Sequence, residues 1–114
     1  MNIAVYIGSD EGKKDIYRQA AQELGLWIGR NGHTLIYGGS AMGLMGVLAN
    51  AVLAEQGKVI GVEPQFFVEE EVQHSGITAL IVTETMSERK QKMMELADSF
   101  IAFPGGIGTL EEID

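Results

Sequence analysis

The residues of this chain best suited to chemistry lie in three glycine-bearing turns. They are Gly8-Ser9, Gly38-Gly39-Ser40 with Gly43 and Gly46 close behind, and Gly105-Gly106-Ile107-Gly108-Thr109. Each follows a short apolar run and precedes a helical pattern. Backbone N–H groups at a helix start, aided by the helix dipole, attract a phosphate, and glycine lets that backbone come close. One such turn would be weak, because α/β loops also use glycine structurally; three at corresponding positions point to a nucleotide pocket. Neither a GxxxxGK[ST] phosphate loop nor a GxGxxG dinucleotide fingerprint is present. The segment Pro104 to Glu112 is the strongest of the three. Thr109 can cap a helix and offer its hydroxyl to a phosphate oxygen. Glu112 lies at capping-box spacing from Thr109, so a plain helix start is the alternative reading. For Arg89 and Lys90 the alternative is a solvated helix face shared with Glu88 and Glu95.

Elements of two periods must position these turns. Ile3 to Ile7 reads as a strand, and Lys13 to Arg30 as a helix with Ile16, Ala20, Leu24 and Trp27/Ile28 on its inward stripe. Asn31-Gly32 is a C-terminal stop. Thr34 to Tyr37 is a second strand. Leu44 to Gln56 is a buried Ala/Leu/Val-rich helix closed by Gly57, and Lys58 to Val62 is a third strand. From Glu63 to Gly76 the period is lost and Pro64 intervenes, so a loop with room for a short helix is expected. Ala79 to Thr83 is a fourth strand. Thr85 to Ala97 is a helix with Met86, Lys90/Met93 and Leu96/Ala97 on one stripe. Ser99 to Phe103 is a fifth strand, and Thr109 opens another helix. Strands separated by helices of this length imply βαβ units: an α/β, Rossmann-like three-layer fold with a parallel sheet of about five strands and helices on both faces. Ligands of such sheets bind at the carboxyl ends of the strands, where the glycine turns fall.

Composition narrows the partners. The net charge of −8 repels a phosphate backbone, so no nucleic-acid partner is expected, while a small phosphorylated ligand remains allowed. The absence of cysteine excludes disulfides, thiolate catalysis and cysteine metal sites. His33 and His74 lack ligand spacing, so no metal site is expected. The start MNIAVYIG does not read as a signal peptide, and no run approaches the ~20 apolar residues of a membrane span. A cytoplasmic protein without membrane contact is the expectation. Trp27 and the methionines Met42, Met45, Met86, Met93 and Met94 read as core, and Glu69-Glu70-Glu71 as a solvated charge run.

Three segments then carry a resemblance. Pro104 to Glu112 matches the PGGxGTxxE signature of the Lonely Guy (LOG) family in full. Gly38 to Gly46 resembles that family's GGSxxGLMG loop, and Met86 to Lys90 resembles its M-x-x-RK segment. Order and spacing agree over essentially the whole chain. The family is that of the cytokinin riboside 5′-monophosphate phosphoribohydrolases, which release the free base and ribose 5-phosphate; its members are also labelled lysine decarboxylase-like. The resemblance implies Arg89 and Glu112 as the catalytic pair. It implies Lys90, Gly105, Gly106, Gly108, Thr109 and Glu111 as nucleotide-binding positions, with Gly8, Ser9, Gly39 and Ser40 lining the pocket. It also implies a homodimer with the site near the subunit interface and a nucleoside monophosphate substrate, AMP or a cytokinin riboside 5′-monophosphate. No cofactor is implied.

Physical chemistry agrees with these roles. Cleaving an N-glycosidic bond builds oxocarbenium character on the ribose, which a carboxylate such as Glu112 can stabilise, or for which it can activate water. The forked donors of Arg89 can orient the nucleotide and offset negative charge. A lysine decarboxylase would need a Schiff-base lysine for pyridoxal phosphate, and no lysine here sits in such a motif. A non-catalytic nucleotide-binding module on the same fold is the alternative function. The family's chain continues past PGGxGTxxE, so residues 1–114 are expected to form a single nucleotide-binding domain lacking the family's C-terminal portion. In plant members the region of Gln65 to Gly76 carries an acidic substrate-binding residue; Glu69, Glu70 and Glu71 are the candidates for it here.

Overall fold

The computed structural model describes residues 1–7, 15–68 and 74–102. Within them the chain runs β1 (Asn2–Tyr6), α1 (Asp15–Arg30), β2 (Thr34–Tyr37), α2 (Gly43–Ala54), β3 (Lys58–Pro64), α3 (Gln65–Val68), β4 (Ala79–Thr83), α4 (Met86–Leu96) and β5 (Ser99–Ala102). The five strands form one sheet in the order β4-β3-β2-β1-β5, and every neighbouring pair is parallel. This is the α/β architecture expected from the alternation of strand and helix periods. The chain steps outward from β1 to β4, then returns past β1 to lay down β5. The direction therefore reverses between β1 and β5, where open α/β sheets bind their ligands.

Side-chain alternation along the strands splits the core into two layers. Ile3, Val5, Leu35, Tyr37 and Val59 pack on one face with Ala21 and Ile28 of α1 and Leu48 and Val52 of α2. Ala4, Ile36 and Val62 pack on the other face with Met93 of α4, flanked by Tyr6, Ile60, Ile81 and Leu96. Helices thus cover both faces.

The inward stripe of α1 differs from the sequence expectation. Ala21, Gly25, Ile28 and Gly29 are buried, whereas Ile16 and Trp27 are 64% and 49% exposed. The cause is the closeness of α2. A β-carbon on Gly25 would lie 2.6 Å from both Ala51 Cβ and Leu48 O, so only a seam of small residues lets the two backbones pack. Trp27 instead tilts against the His33 ring, with 5.2 Å between centroids. Of the methionines read as core, Met93 is buried, but Met42, Met86 and Met94 are exposed. α1 ends as expected: Gly32 takes φ 73°, while the Gly32 and His33 N–H groups donate to Gly29 O and Ile28 O. At the end of α2 the left-handed residue is Gln56, not Gly57. The third strand also runs two residues further than expected, through Glu63 and Pro64. Proline is tolerated at this strand's end, where it forfeits no essential ladder bond.

Candidate functional site

Arg89 is delivered by the first turns of α4. Thr85 caps that helix: its hydroxyl accepts from the Glu88 N–H at 3.1 Å, and the Glu88 carboxylate accepts from the Glu84 N–H at 3.1 Å. With the helix start held from both sides, the Arg89 side chain reaches the carboxyl end of the sheet. Its Nε–H donates to Val62 O at 2.9 Å. A β-carbon on Gly38 would overlap a terminal guanidinium nitrogen of Arg89. The guanidinium therefore lies across the exits of β2 and β3, in room that only glycine leaves.

Two ionisable groups, Glu63 and Tyr6, act on its charge, and Tyr37 stands beside Glu63. Glu63 is 2% exposed, and its Oε2 has no hydrogen-bond partner among the described residues. Burial pushes the Glu63 carboxyl above its ordinary value, and the Arg89 charge pulls in the opposite direction. Burial likewise lowers Arg89 from its ordinary value, with Glu63 and then Tyr6 opposing. The Tyr6 phenol is raised by burial, against the pull of Arg89. Tyr37 is raised too, by burial first and the Glu63 charge second; its hydroxyl donates to Ser40 O at 2.9 Å. The result is a partly desolvated cation beside a buried carboxyl, at the edge where a ligand would enter. Such a cation binds anions more strongly than one in open water.

The turn after β2 is fastened on several sides. Ser40 is buried, and its Oγ accepts from the Met42 N–H at 2.9 Å. Gly39 has φ 89°, a left-handed conformation that suits glycine. Its carbonyl accepts from the His74 N–H at 2.8 Å. The His74 ring accepts at Nδ1 from the Gly76 N–H, 2.9 Å, so Nε2 carries the proton and donates to Asn50 Oδ1 at 2.6 Å.

Arg89 and Lys90 share a recess of about 330 Å³ with Tyr6, Met86, Ser87 and Met93. A larger recess, about 620 Å³, runs along β4 and α4. Its walls carry Glu84, Glu88 and Glu95, which disfavours a phosphate, so we assign it no part in the site. Of the residues singled out from sequence, Gly39 and Ser40 lie on the turn beside Arg89, with Lys90 next to it on α4. Gly8, Ser9, Gly105, Gly106, Gly108, Thr109, Glu111 and Glu112 lie outside the described residues, as do Glu69, Glu70 and Glu71. Sequence reasoning missed Tyr6 and Glu63, which it read as a strand residue and the start of a loop. The available signal for Glu63 was a charged residue directly following the apolar run Val59 to Val62. Among the described residues no cluster of side chains could hold a metal ion, and no helix is long and apolar enough to cross a membrane.

A family model described as "Possible lysine decarboxylase" matches residues 45–113. The cytokinin riboside 5′-monophosphate phosphoribohydrolase of Rhodococcoides fascians is 46% identical over 112 residues, covering 97% of this chain and 57% of the relative. The rice protein named cytokinin riboside 5′-monophosphate phosphoribohydrolase LOG is 44% identical over 111 residues, covering 97% and 46%. The chain thus spans about half the length of the curated relatives it matches. Among solved structures, the molybdenum cofactor binding protein of Rippkaea orientalis superposes with a TM-score of 0.80 at 24% identity, covering 98% of this chain and 67% of that one. That likeness is one of fold. Together with the three sequence segments, the family match leads to one conclusion: the chain belongs to the Lonely Guy (LOG) family.

Proposed function

We propose that this protein hydrolyses the N-glycosidic bond of a nucleoside 5′-monophosphate, AMP or a cytokinin riboside 5′-monophosphate, to free base and ribose 5-phosphate. The observation that carries this reading is the position of Arg89, partly desolvated over the carboxyl ends of β2 and β3, in a chain whose relatives are named for that activity. In this reading the N–H groups of Gly105, Gly106, Gly108 and Thr109 take the phosphate, with Gly8, Ser9, Gly39 and Ser40 as walls and Lys90 and Glu111 as further nucleotide contacts. Arg89 orients the nucleotide and offsets its charge. As the bond from the anomeric carbon to the base nitrogen breaks, Glu112 stabilises the oxocarbenium-like ribose or takes a proton from the attacking water. Water supplies the new C–O bond, and the base leaves with a proton. The active form is a homodimer in a cytoplasmic setting, acting on a small nucleotide rather than on nucleic acid or membrane.

The test is incubation with AMP and chromatographic measurement of adenine release, with Arg89→Ala in parallel. Adenine release that falls sharply in Arg89→Ala supports the reading. AMP binding without adenine release from the wild type would establish the non-catalytic nucleotide-binding module instead.

A further inference from the structure

Glu63 is a buried ionisable group that the proposed chemistry does not use. It stands on β3 one residue beyond Val62, whose carbonyl anchors the Arg89 Nε–H at 2.9 Å. It is 2% exposed, and its Oε2 lies buried without a hydrogen-bond donor among the described residues. The turn after β2 closes over it: a β-carbon on Gly39 would sit 3.3 Å from that oxygen and 3.5 Å from Glu63 Cβ. A terminal nitrogen of Arg89 lies over Gly38 in the same turn. Carboxyl and guanidinium thus interact through space across the glycine turn without forming an ion pair. A carboxyl oxygen left without a partner in a protein interior is costly. Retaining one here is explicable if its charge acts on the neighbouring cation.

We propose that Glu63 is a positioning residue for Arg89: its buried carboxyl acts as a counterweight that moderates how strongly the guanidinium holds an anionic nucleotide. The carboxylate draws the guanidinium toward β3 and weakens the field it presents to the recess. Affinity for product is thereby restrained, and ribose 5-phosphate can leave. This inference rests on the nucleotide role proposed above for Arg89.

Glu63→Gln keeps the shape and removes the charge. In the full chain at low ionic strength, the Kd for AMP by calorimetry should tighten about five- to tenfold. The KM for base release should fall with it, and kcat should fall as product leaves more slowly. In an Arg89→Ala background the same substitution should leave AMP affinity unchanged, because the effect passes through Arg89. Glu63→Met serves if Glu63→Gln is poorly folded by circular dichroism; if neither variant folds, Glu63 is a structural residue and the proposal is overturned. An unchanged Kd in Glu63→Gln, or a shift that persists in the Arg89→Ala background, overturns it as well. If Arg89→Ala alone leaves AMP binding intact, the nucleotide role of Arg89 is wrong and this inference falls with it. Weakened binding in Arg89→Ala with no response to Glu63→Gln overturns the counterweight alone.

Discussion

Gly38→Ala is the smallest change that should disable Arg89. Gly38 is not among the described glycines with positive φ, so alanine imposes no backbone strain and the perturbation is steric. The new methyl group would overlap a terminal nitrogen of Arg89 and lie 3.1 Å from Met45 Sδ. The Met45 thioether can swing aside. The guanidinium is tethered through Val62 O, so moving it breaks that bond. A hydrogen bond from a charged donor is worth about 1.5–3 kcal/mol, which bounds the loss of stability from above if the arginine swings fully into water. At roughly 4 °C per kcal/mol for a domain near this size, Tm should fall by up to about 6–12 °C. With the guanidinium displaced, the KM for AMP should rise about tenfold, the scale of one charge-assisted contact. The assay is thermal unfolding by circular dichroism beside adenine release. In Gly38→Ala/Arg89→Ala the overlap is gone, so Tm should return to that of Arg89→Ala alone, a non-additivity expected only of touching residues. A Gly38→Ala protein with wild-type Tm and KM would refute the placement of the guanidinium over this turn.

Three further outcomes can be measured. Thr85→Ala removes the cap of α4 and should cost about 1 kcal/mol in urea denaturation; Thr85→Ser, which keeps the hydroxyl, should recover most of it. Glu112→Gln should lower base release by roughly 10²–10³ while AMP binding falls much less; wild-type turnover in a folded variant would leave Glu112 as a helix cap only. The third outcome concerns pH. Because burial raises Glu63 from its ordinary value of 4.5, the folded state holds this proton at pH values where the unfolded chain has released it. Stability from this group is therefore complete below the ordinary value and declines as pH rises through the raised one. Glu63→Gln should flatten that part of the profile of unfolding free energy against pH, and an identical profile in both proteins would show that Glu63 titrates normally.

Part of this architecture is written in the amino-acid sequence itself. The alternation of Ile3, Ala4 and Val5, the stop at Asn31-Gly32 and the apolar run Leu44 to Val52 encode local periods. Local periods suffice to define strands, helices and hence the parallel sheet. The order of Gly38 to Gly46, Met86 to Lys90 and Pro104 to Glu112 sufficed to indicate the family, because three segments of such composition in this order and spacing are specific. Helical periodicity could not say which stripe of α1 turns inward. Ile16 and Trp27 had the better apolar credentials, yet Ala21, Gly25 and Gly29 won, because the separation of α1 from α2 is a property of two helices together. The same holds for Glu63. In sequence it is a charge after a strand; parallel pairing with β2 and the reach of Arg89 from α4 turn it into a buried carboxyl beside a cation. Its environment is made of residues far apart in the chain, and only the tertiary structure brings them within reach of one another.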